Sequence, residues 1–341
     1  MAGHWIYGMA VDRRFFSLTA LAALTISCAR AGGRPPLSNS LWPRFKSAFL
    51  DPSGRVLDNG NGGISHSEGQ GYGLWLALTA NDREAFEKMR RWTEATLARR
   101  DVALYSWRYD PRQENPVADR NNATDGDIFI AWALGRAGEQ WQDAALTARA
   151  EEIRAAILSH LVIERFGRRL LLPGIDGFSS PNVVTVNPSY FVWPAFDQFR
   201  RLDGEAVWGD VIRDSEKLLA AARFGPRRLP TDWIDVTANA AIAPAAAKPP
   251  RFGFDAVRLP LYAQAGGRQQ LVRPIIDCWR GYVRAGRAIP AWIDIQTGQE
   301  ADFALSPGGM TIANRALGMP ASLPLSTDYY AAALQMLSQS L

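Results

Sequence analysis

Cysteine and histidine are scarce, with two and three residues in a chain of 341. Cys28 falls in an N-terminal leader, so beyond it Cys278 stands alone and no intramolecular disulfide is expected. His4, His66 and His160 show no metal-ligand spacing, which argues against a zinc site. No glycine pattern that cradles a phosphate or a dinucleotide is present, because Gly69 and Gly71 lack a third spaced glycine and a preceding strand. No metal or cofactor is therefore expected. Long apolar runs are missing beyond Phe15 to Ile26, which is too short to span a bilayer comfortably. No stable membrane insertion is expected once the leader is gone.

A large excess of charge of one sign is also missing. The formal net charge is +4, and removing Arg13, Arg14 and Arg30 together with Asp12 leaves +2. Basic pairs such as Arg90-Arg91, Arg99-Arg100 and Arg227-Arg228 read as solvated faces, so no nucleic-acid partner is expected. With 47% apolar and 21% charged residues, the chain has the proportions of a folded protein with a sizeable core. Twelve tryptophans are the unusual feature; most should be core, with some left to stack on sugars or bases.

Arg13-Arg14, the apolar run and the small residues ending Ala29-Arg30-Ala31 have the order of a signal peptide. Residues 1–31 are expected to direct export to the periplasm or beyond, leaving residues 32–341 as one domain. Arg13-Arg14-Phe15-Phe16 is also similar to a twin-arginine signal.

Apolar residues recur at helical spacing through most of the chain beyond residue 40. Helices are expected over residues 41–50, up to Leu78, after Asn81-Asp82, from Ile128, over 141–161, 188–202, 206–224, 255–265 and 269–285, and after Ser326-Thr327. Residues 105–120, 170–187 and the Ala/Pro-rich 240–250 read as loops. About a dozen helical segments in hairpin pairs with few strands predict an all-α fold, a closed toroid of helix hairpins.

The chemistry centres on Ser67-Glu68-Gly69-Gln70-Gly71-Tyr72-Gly73, which sets a carboxylate among three glycines before a buried helix. Glycines there let the backbone turn and approach a ligand closely. Other carboxylates in loop-to-helix settings are Asp125, Asp127, Asp176 and Asp255. Taken singly, each has a structural reading: Asp125 or Asp127 can cap a helix, and Asp255 can pair with Arg258 one turn on. His66 reads as an exposed loop residue and Asp127 as a helix acid. Gln70 can bond a sugar hydroxyl or satisfy the glycine-rich backbone. Trp107, beside a polar loop, is the first candidate for a sugar-stacking platform; for Trp193 and Tyr330 core packing is favoured.

Together these segments resemble glycoside hydrolase family 8. The Ser67 to Gly73 stretch is similar to that family's acid motif, and Ala123-Thr124-Asp125-Gly126-Asp127 through Ile130-Ala131, Leu134, Ala137 and Trp141 matches its signature. Asn187-Pro188-Ser189-Tyr190 and Phe254-Asp255-Ala256-Val257-Arg258 continue the pattern, so the resemblance covers nearly all of the chain after the leader. Overall similarity and the short layout place it nearest the exported cellulases that accompany bacterial cellulose synthesis.

The resemblance implies an (α/α)6 barrel and an inverting reaction on internal β-1,4 bonds of a glucan. Inversion needs an acid and a base about 6.5–9.5 Å apart, with water between base and sugar. By position, Glu68 corresponds to the general acid, kept protonated with Asp125 as the neighbouring charge, and Asp255 to the general base. Asp125 also corresponds to the residue that binds and distorts the sugar at the cleavage subsite, and Tyr190 to the one that places water. Arg258 is expected to orient Asp255, and Phe254 stands where some relatives carry tyrosine. The implied partners are a β-1,4-glucan and a cellulose synthesis and export complex. Alternatives are action on chitosan, xylan or mixed-linkage glucan, with Asp176 or Asp302 as extra carboxylates for amino sugars, or a non-catalytic glucan-binding subunit.

Overall fold

The computed structural model describes residues 41–321 and 324–341; the expected leader lies outside them. Eleven α-helices are found among the described residues: α1 (Leu41–Phe49), α2 (Ser67–Thr79), α3 (Arg83–Thr96), α4 (Thr124–Trp141), α5 (Ala144–His160), α6 (Trp193–Asp203), α7 (Glu205–Ala221), α8 (Leu259–Ala265), α9 (Arg273–Arg284), α10 (Pro307–Leu317) and α11 (Tyr329–Ser340).

Their burial separates them into two layers. Every residue of α2 from Gly69 to Leu78 is buried, so this helix is apolar all round and must be enclosed by protein. In α3 only Ala85, Phe86, Met89 and Thr93 are buried, a single stripe facing inward. Successive contacts run α2 to α4, α4 to α6, α6 to α8, α8 to α10, α10 to α11, and α11 back to α2, closing an inner ring. Outside it, α3 packs on α2, α5 on α4, α7 on α6, α9 on α10 and α1 on α11. This is an (α/α)6 barrel.

Tryptophan does much of the inner packing. Trp75 of α2 stacks on Trp132 of α4 with ring centroids 3.8 Å apart, and Trp132 Nε1 donates to Gln198 Oε1 of α6 at 2.8 Å. Trp193, Trp208 and Trp279 are fully buried, so the core assignment of Trp193 holds.

Helix starts obey their capping residues. Asp82 Oδ1 accepts from Ala85 N at 3.0 Å at the head of α3, as its place after Asn81 predicts. α10 escaped the helical pattern because Pro307-Gly308-Gly309 opens it; Ser306 Oγ caps it, accepting from Gly309 N at 3.2 Å. Two expected loops contain strands. Within 170–187, Val183–Val186 pairs antiparallel with Ile234–Thr237, setting Val186 against Ile234. Within 240–250, Ile242–Pro244 adds an edge strand to the same sheet. A proline is tolerated on an edge because no ladder hydrogen bond is needed there, which hid this strand in an Ala/Pro-rich stretch.

Candidate active site

The site begins where α2 crosses α4. A Cβ on Gly71 would lie 2.7 Å from Phe129 Cβ, and one on Gly126 would lie 2.7 Å from Glu68 N. The two backbones therefore meet as only glycine allows, and the first turns of both helices lie side by side. This corrects the expected turn: Gly69, Gly71 and Gly73 are inside α2, where they admit neighbouring elements and do not reverse the chain. Glu68 and Asp125 sit in those first turns, at helix ends whose partial positive charge favours a carboxylate.

His66 is the N-cap of α2. Its Nδ1 accepts from Gly69 N at 2.9 Å, which leaves the ring proton on Nε2, 3.4 Å from Asp58 Oδ2. It is therefore not an exposed loop residue; its side chain is 14% exposed. Nδ1 also lies 3.8 Å from Glu68 Oε2.

Asp255 arrives from the opposite side, in the turn between strand Arg251–Phe252 and the short 3-10 helix Ala256–Arg258 that leads into α8. Arg258, 1% exposed, joins the two sides. Its Nη1 donates to Glu68 Oε1, to Tyr72 Oη at 2.8 Å and to Asp125 Oδ2 at 3.2 Å. Its Nη2 donates to Asp255 Oδ1 at 2.7 Å and to Ser189 Oγ at 2.8 Å. Because the two nitrogens of a guanidinium diverge, Glu68 and Asp255 are held apart on separate arms. Asn187 Oδ1 in turn fixes Ser189, accepting from its backbone N at 3.0 Å and its Oγ at 2.7 Å.

His66, Glu68, Asp125, Asp255 and Arg258 line a cavity of about 700 Å3. Tyr190, Trp107 and Tyr330 also form its walls. Trp107 is half-buried; its carbonyl accepts from Ser67 N at 3.0 Å and its Nε1 donates to Asp119 Oδ2 at 2.7 Å, which ties the ring beside Glu68. Tyr330 is a correction to the expected core role: it faces the cleft and its Oη donates to Phe254 O at 2.7 Å. The Phe254 side chain itself is 55% exposed. Gln70 is corrected in the other direction. It is wholly buried, accepting from Val56 N at 2.6 Å and donating to Thr93 Oγ1 at 2.8 Å and Gly54 O at 3.1 Å, so it braces the backbone and meets no substrate.

The electrostatics revise the expected protonation. Burial raises the Glu68 pKa, but the Arg258 charge, with help from His66 and hydrogen bonds from Asp125 and Tyr72, brings it below the ordinary value. Asp125 is pushed well above its ordinary value, by burial first and then by the Glu68 charge. Glu68 and Asp125 are thus two coupled carboxyls on one Arg258 nitrogen, one pushed down and the other up. Asp255 is raised by burial, opposed by Arg258 and assisted by Glu68.

Two carboxyls, Asp127 buried and Asp232 half-buried, support the site without facing it. Asp127, fully buried, accepts from Tyr105 N at 2.9 Å and Asn122 Nδ2 at 2.7 Å, pinning the loop ahead of α4; burial pushes its pKa up to about 7. It is more than a helix acid. Asp232 was not singled out from the sequence. Its Oδ1 accepts from Gly253 N at 2.9 Å and Ala256 N at 2.8 Å, gripping the turn that presents Asp255. Burial and the Asp255 charge push it up to about 7. Nothing in local spacing marks it, since its partners lie more than twenty positions away. Asp176 and Asp302 are exposed and do not line the cleft. Among the described residues no group of three His, Cys, Asp or Glu side chains is placed to hold a metal ion.

A cleft over an (α/α)6 barrel, with carboxylates on opposite sides and aromatic walls, defines a glycoside hydrolase. The family model "Glycosyl hydrolases family 8" matches residues 10–341, and the chain belongs to that family, whose members act with inversion. The endoglucanase of Cellulomonas uda is 37% identical over 306 residues, 89% of this chain and 84% of the relative. A probable endoglucanase of Novacetimonas hansenii is 37% identical over 321 residues, 92% of this chain and 93% of the relative. Among solved structures, the endo-β-1,4-glucanase CMCax of Acetobacter xylinum superposes with a TM-score of 0.85 at 37% identity, covering 90% of this chain and 98% of that one.

Proposed function

We propose that the protein is an endo-1,4-β-glucanase in which Glu68 is the general acid and Asp255 the general base. The observation that carries this reading is the Arg258 fork, which holds Glu68 and Asp255 on diverging arms beside an open cleft. Inversion requires a water between Asp255 and the sugar. Identity to endoglucanases over nearly the whole chain supports the substrate class.

The proton must reach Glu68 before it can protonate the leaving oxygen. A sugar bound at the cleavage subsite competes for Arg258 and Asp125, weakening the charge that holds Glu68 ionised. The Asp125 proton then passes to Glu68, and from Glu68 to the glycosidic oxygen as the bond breaks. Asp255 takes a proton from the water that attacks the anomeric carbon from the opposite face, with Tyr190 placing that water. Afterwards solvent returns a proton to the Glu68–Asp125 pair and removes one from Asp255. The ionised Asp125 hydrogen-bonds and distorts the sugar, an interaction strongest in the transition state. Trp107 offers a flat apolar face for a glucose ring.

The leader over residues 1–31 supports export to the periplasm or beyond, and the overall similarity supports work beside a cellulose synthesis complex. No helix among the described residues is long and apolar enough to cross a membrane.

The test uses protein beginning at Gly32 and soluble carboxymethyl cellulose. Fast viscosity loss with few new reducing ends, abolished in Glu68→Gln, is the expected result. Cleavage of chitosan or xylan alone would replace the substrate, and glucan binding without hydrolysis of any polymer would leave only a binding subunit.

A further inference from the structure

A second cavity of about 670 Å3, nearly as large as the cleft, has none of its described wall residues in common with it. It opens between the turn around Pro226 and α9. Arg223, Arg227, Arg228, Arg273 and Arg287 line it, and Asp277 is the one carboxylate among the described residues of its wall. Glu300 neutralises part of this charge, meeting Arg227 at 2.5 Å and Arg287 at 2.6 Å. Asp277 pairs with Arg280 at 2.5 Å and more loosely with Arg273 at 3.8 Å. Five guanidinium groups of the wall thus face two carboxylates, Asp277 and Glu300, an excess of three positive charges.

Several partly buried arginines elsewhere are matched, as Arg154 is with Asp203, Arg149 with Glu94, and Arg268 with both Asp197 and Glu216. Arg223 and Arg228 carry no ion pair among the described residues. Arg223 Nη2 donates to Leu271 O at 2.6 Å, while its Nη1 is buried with no hydrogen-bond partner. An unmatched buried donor is costly, and Arg228 adds repulsion; burial first and Arg228 second lower the Arg223 pKa. An anion bridging the two guanidinium groups removes both costs at once.

We propose that this pocket binds a phosphoryl-bearing ligand, with Arg223 and Arg228 gripping the phosphoryl oxygens. A phosphoryl group brings up to two negative charges and three acceptor oxygens, a closer match to this excess than a single carboxylate. The planar fork of arginine suits such oxyanions. Beyond the charged end, Pro226, Pro274, Ala285 and the Tyr282 ring give a less polar wall, with the Arg227 and Arg287 guanidinium carbons 5.3 and 5.0 Å from the ring centroid. That wall accommodates the body of a sugar phosphate or the head of a phospholipid. Binding here is independent of the chemistry of the cleft.

The test is titration calorimetry of protein beginning at Gly32 with glucose 1-phosphate and with pyrophosphate. Flotation with phosphatidylcholine vesicles, with and without phosphatidic acid, runs beside it at fixed ionic strength. Binding to a soluble phosphate or to the acidic vesicles is expected, weaker by about tenfold or more in Arg223→Gln/Arg228→Gln. Hydrolysis of carboxymethyl cellulose should be unchanged in the double variant. Soluble probes binding alone identify a free phosphorylated ligand; vesicles binding alone identify a lipid head. If the double variant loses hydrolysis as well, the exposed single change Arg228→Gln decides. No binding by the unaltered protein at millimolar probe and on acidic vesicles, or binding indifferent to the substitutions, overturns the proposal.

Discussion

Arg258 holds Glu68 and Asp255 at once, one carboxylate on each terminal nitrogen of a guanidinium buried between the two halves of the cleft. A lysine has a single ammonium and cannot reach both arms. Arg258→Lys is therefore expected to lower kcat by about a hundredfold, because a small misplacement of either carboxylate is enough, with little change in KM. Arg258→Met leaves Glu68, Asp125 and Asp255 without their shared cation, and breaking such a buried network costs about 3–5 kcal/mol. Urea unfolding and steady-state kinetics measure both; an unchanged kcat in the lysine variant would remove the positioning role.

Asp125 and Glu68 meet the same nitrogen of Arg258, with the Asp125 carboxyl pushed up and the Glu68 carboxyl down. Replacing Asp125 with asparagine removes the carboxyl that can pass a proton to Glu68, leaving Glu68 beside Arg258. The alkaline limb of kcat/KM should therefore move to lower pH and activity drop about 10²–10⁴-fold. A pH profile that keeps its alkaline limb in place would show that Asp125 does not govern protonation of the acid.

Both sequence segments that carry Glu68 and Asp125 were legible because they are local: a glycine-rich run into an apolar helix, and an Asp pair at a helix start. What joined them was not. Glu68 and Arg258 lie 190 positions apart, and their contact exists only once the inner ring closes. The glycines of α2 read as a turn because glycine breaks isolated helices; here tertiary crowding against Phe129 and Met89 selects it inside one. Asp232 and the strand Ile242–Pro244 were invisible for the same reason, since their roles are set by partners across the fold.

Gly126→Ala tests the crossing. The new methyl would meet Ser67 Oγ and lie 2.7 Å from Glu68 N and Ser67 C, so α2 must shift away from α4. Overpacking of this kind costs about 1–3 kcal/mol. The shift also moves Glu68 away from Asp125, so kcat should fall more than stability alone explains, when assayed well below the melting temperature. Full kcat with reduced stability would confine the glycine to packing.

Asp232 links stability, pH and the expected base. Its folded pKa of about 7 stands above the ordinary value of 3.8, so the folded protein keeps a proton that the unfolded chain releases. The stability this contributes is complete below about pH 4 and is lost as pH rises to about 7, after which it changes no further. Asparagine cannot ionise, yet its Oδ1 can still accept from Gly253 N and Ala256 N. Asp232→Asn should therefore melt with a shallower decline between about pH 4 and pH 7 than the unaltered protein. The Asp255 charge is what raises Asp232, so Asp232 is neutral while Asp255 titrates and the acid limb of kcat/KM should stay in place in the asparagine variant. The other groups around Asp255, namely Arg258, Glu68, Asp125, Tyr190 and Tyr330, are the same in both proteins, so any difference isolates Asp232. Asp232→Ala loses the grip on the turn and should lower kcat at every pH. A displaced acid limb in the asparagine variant would show that Asp232 carries charge while Asp255 titrates.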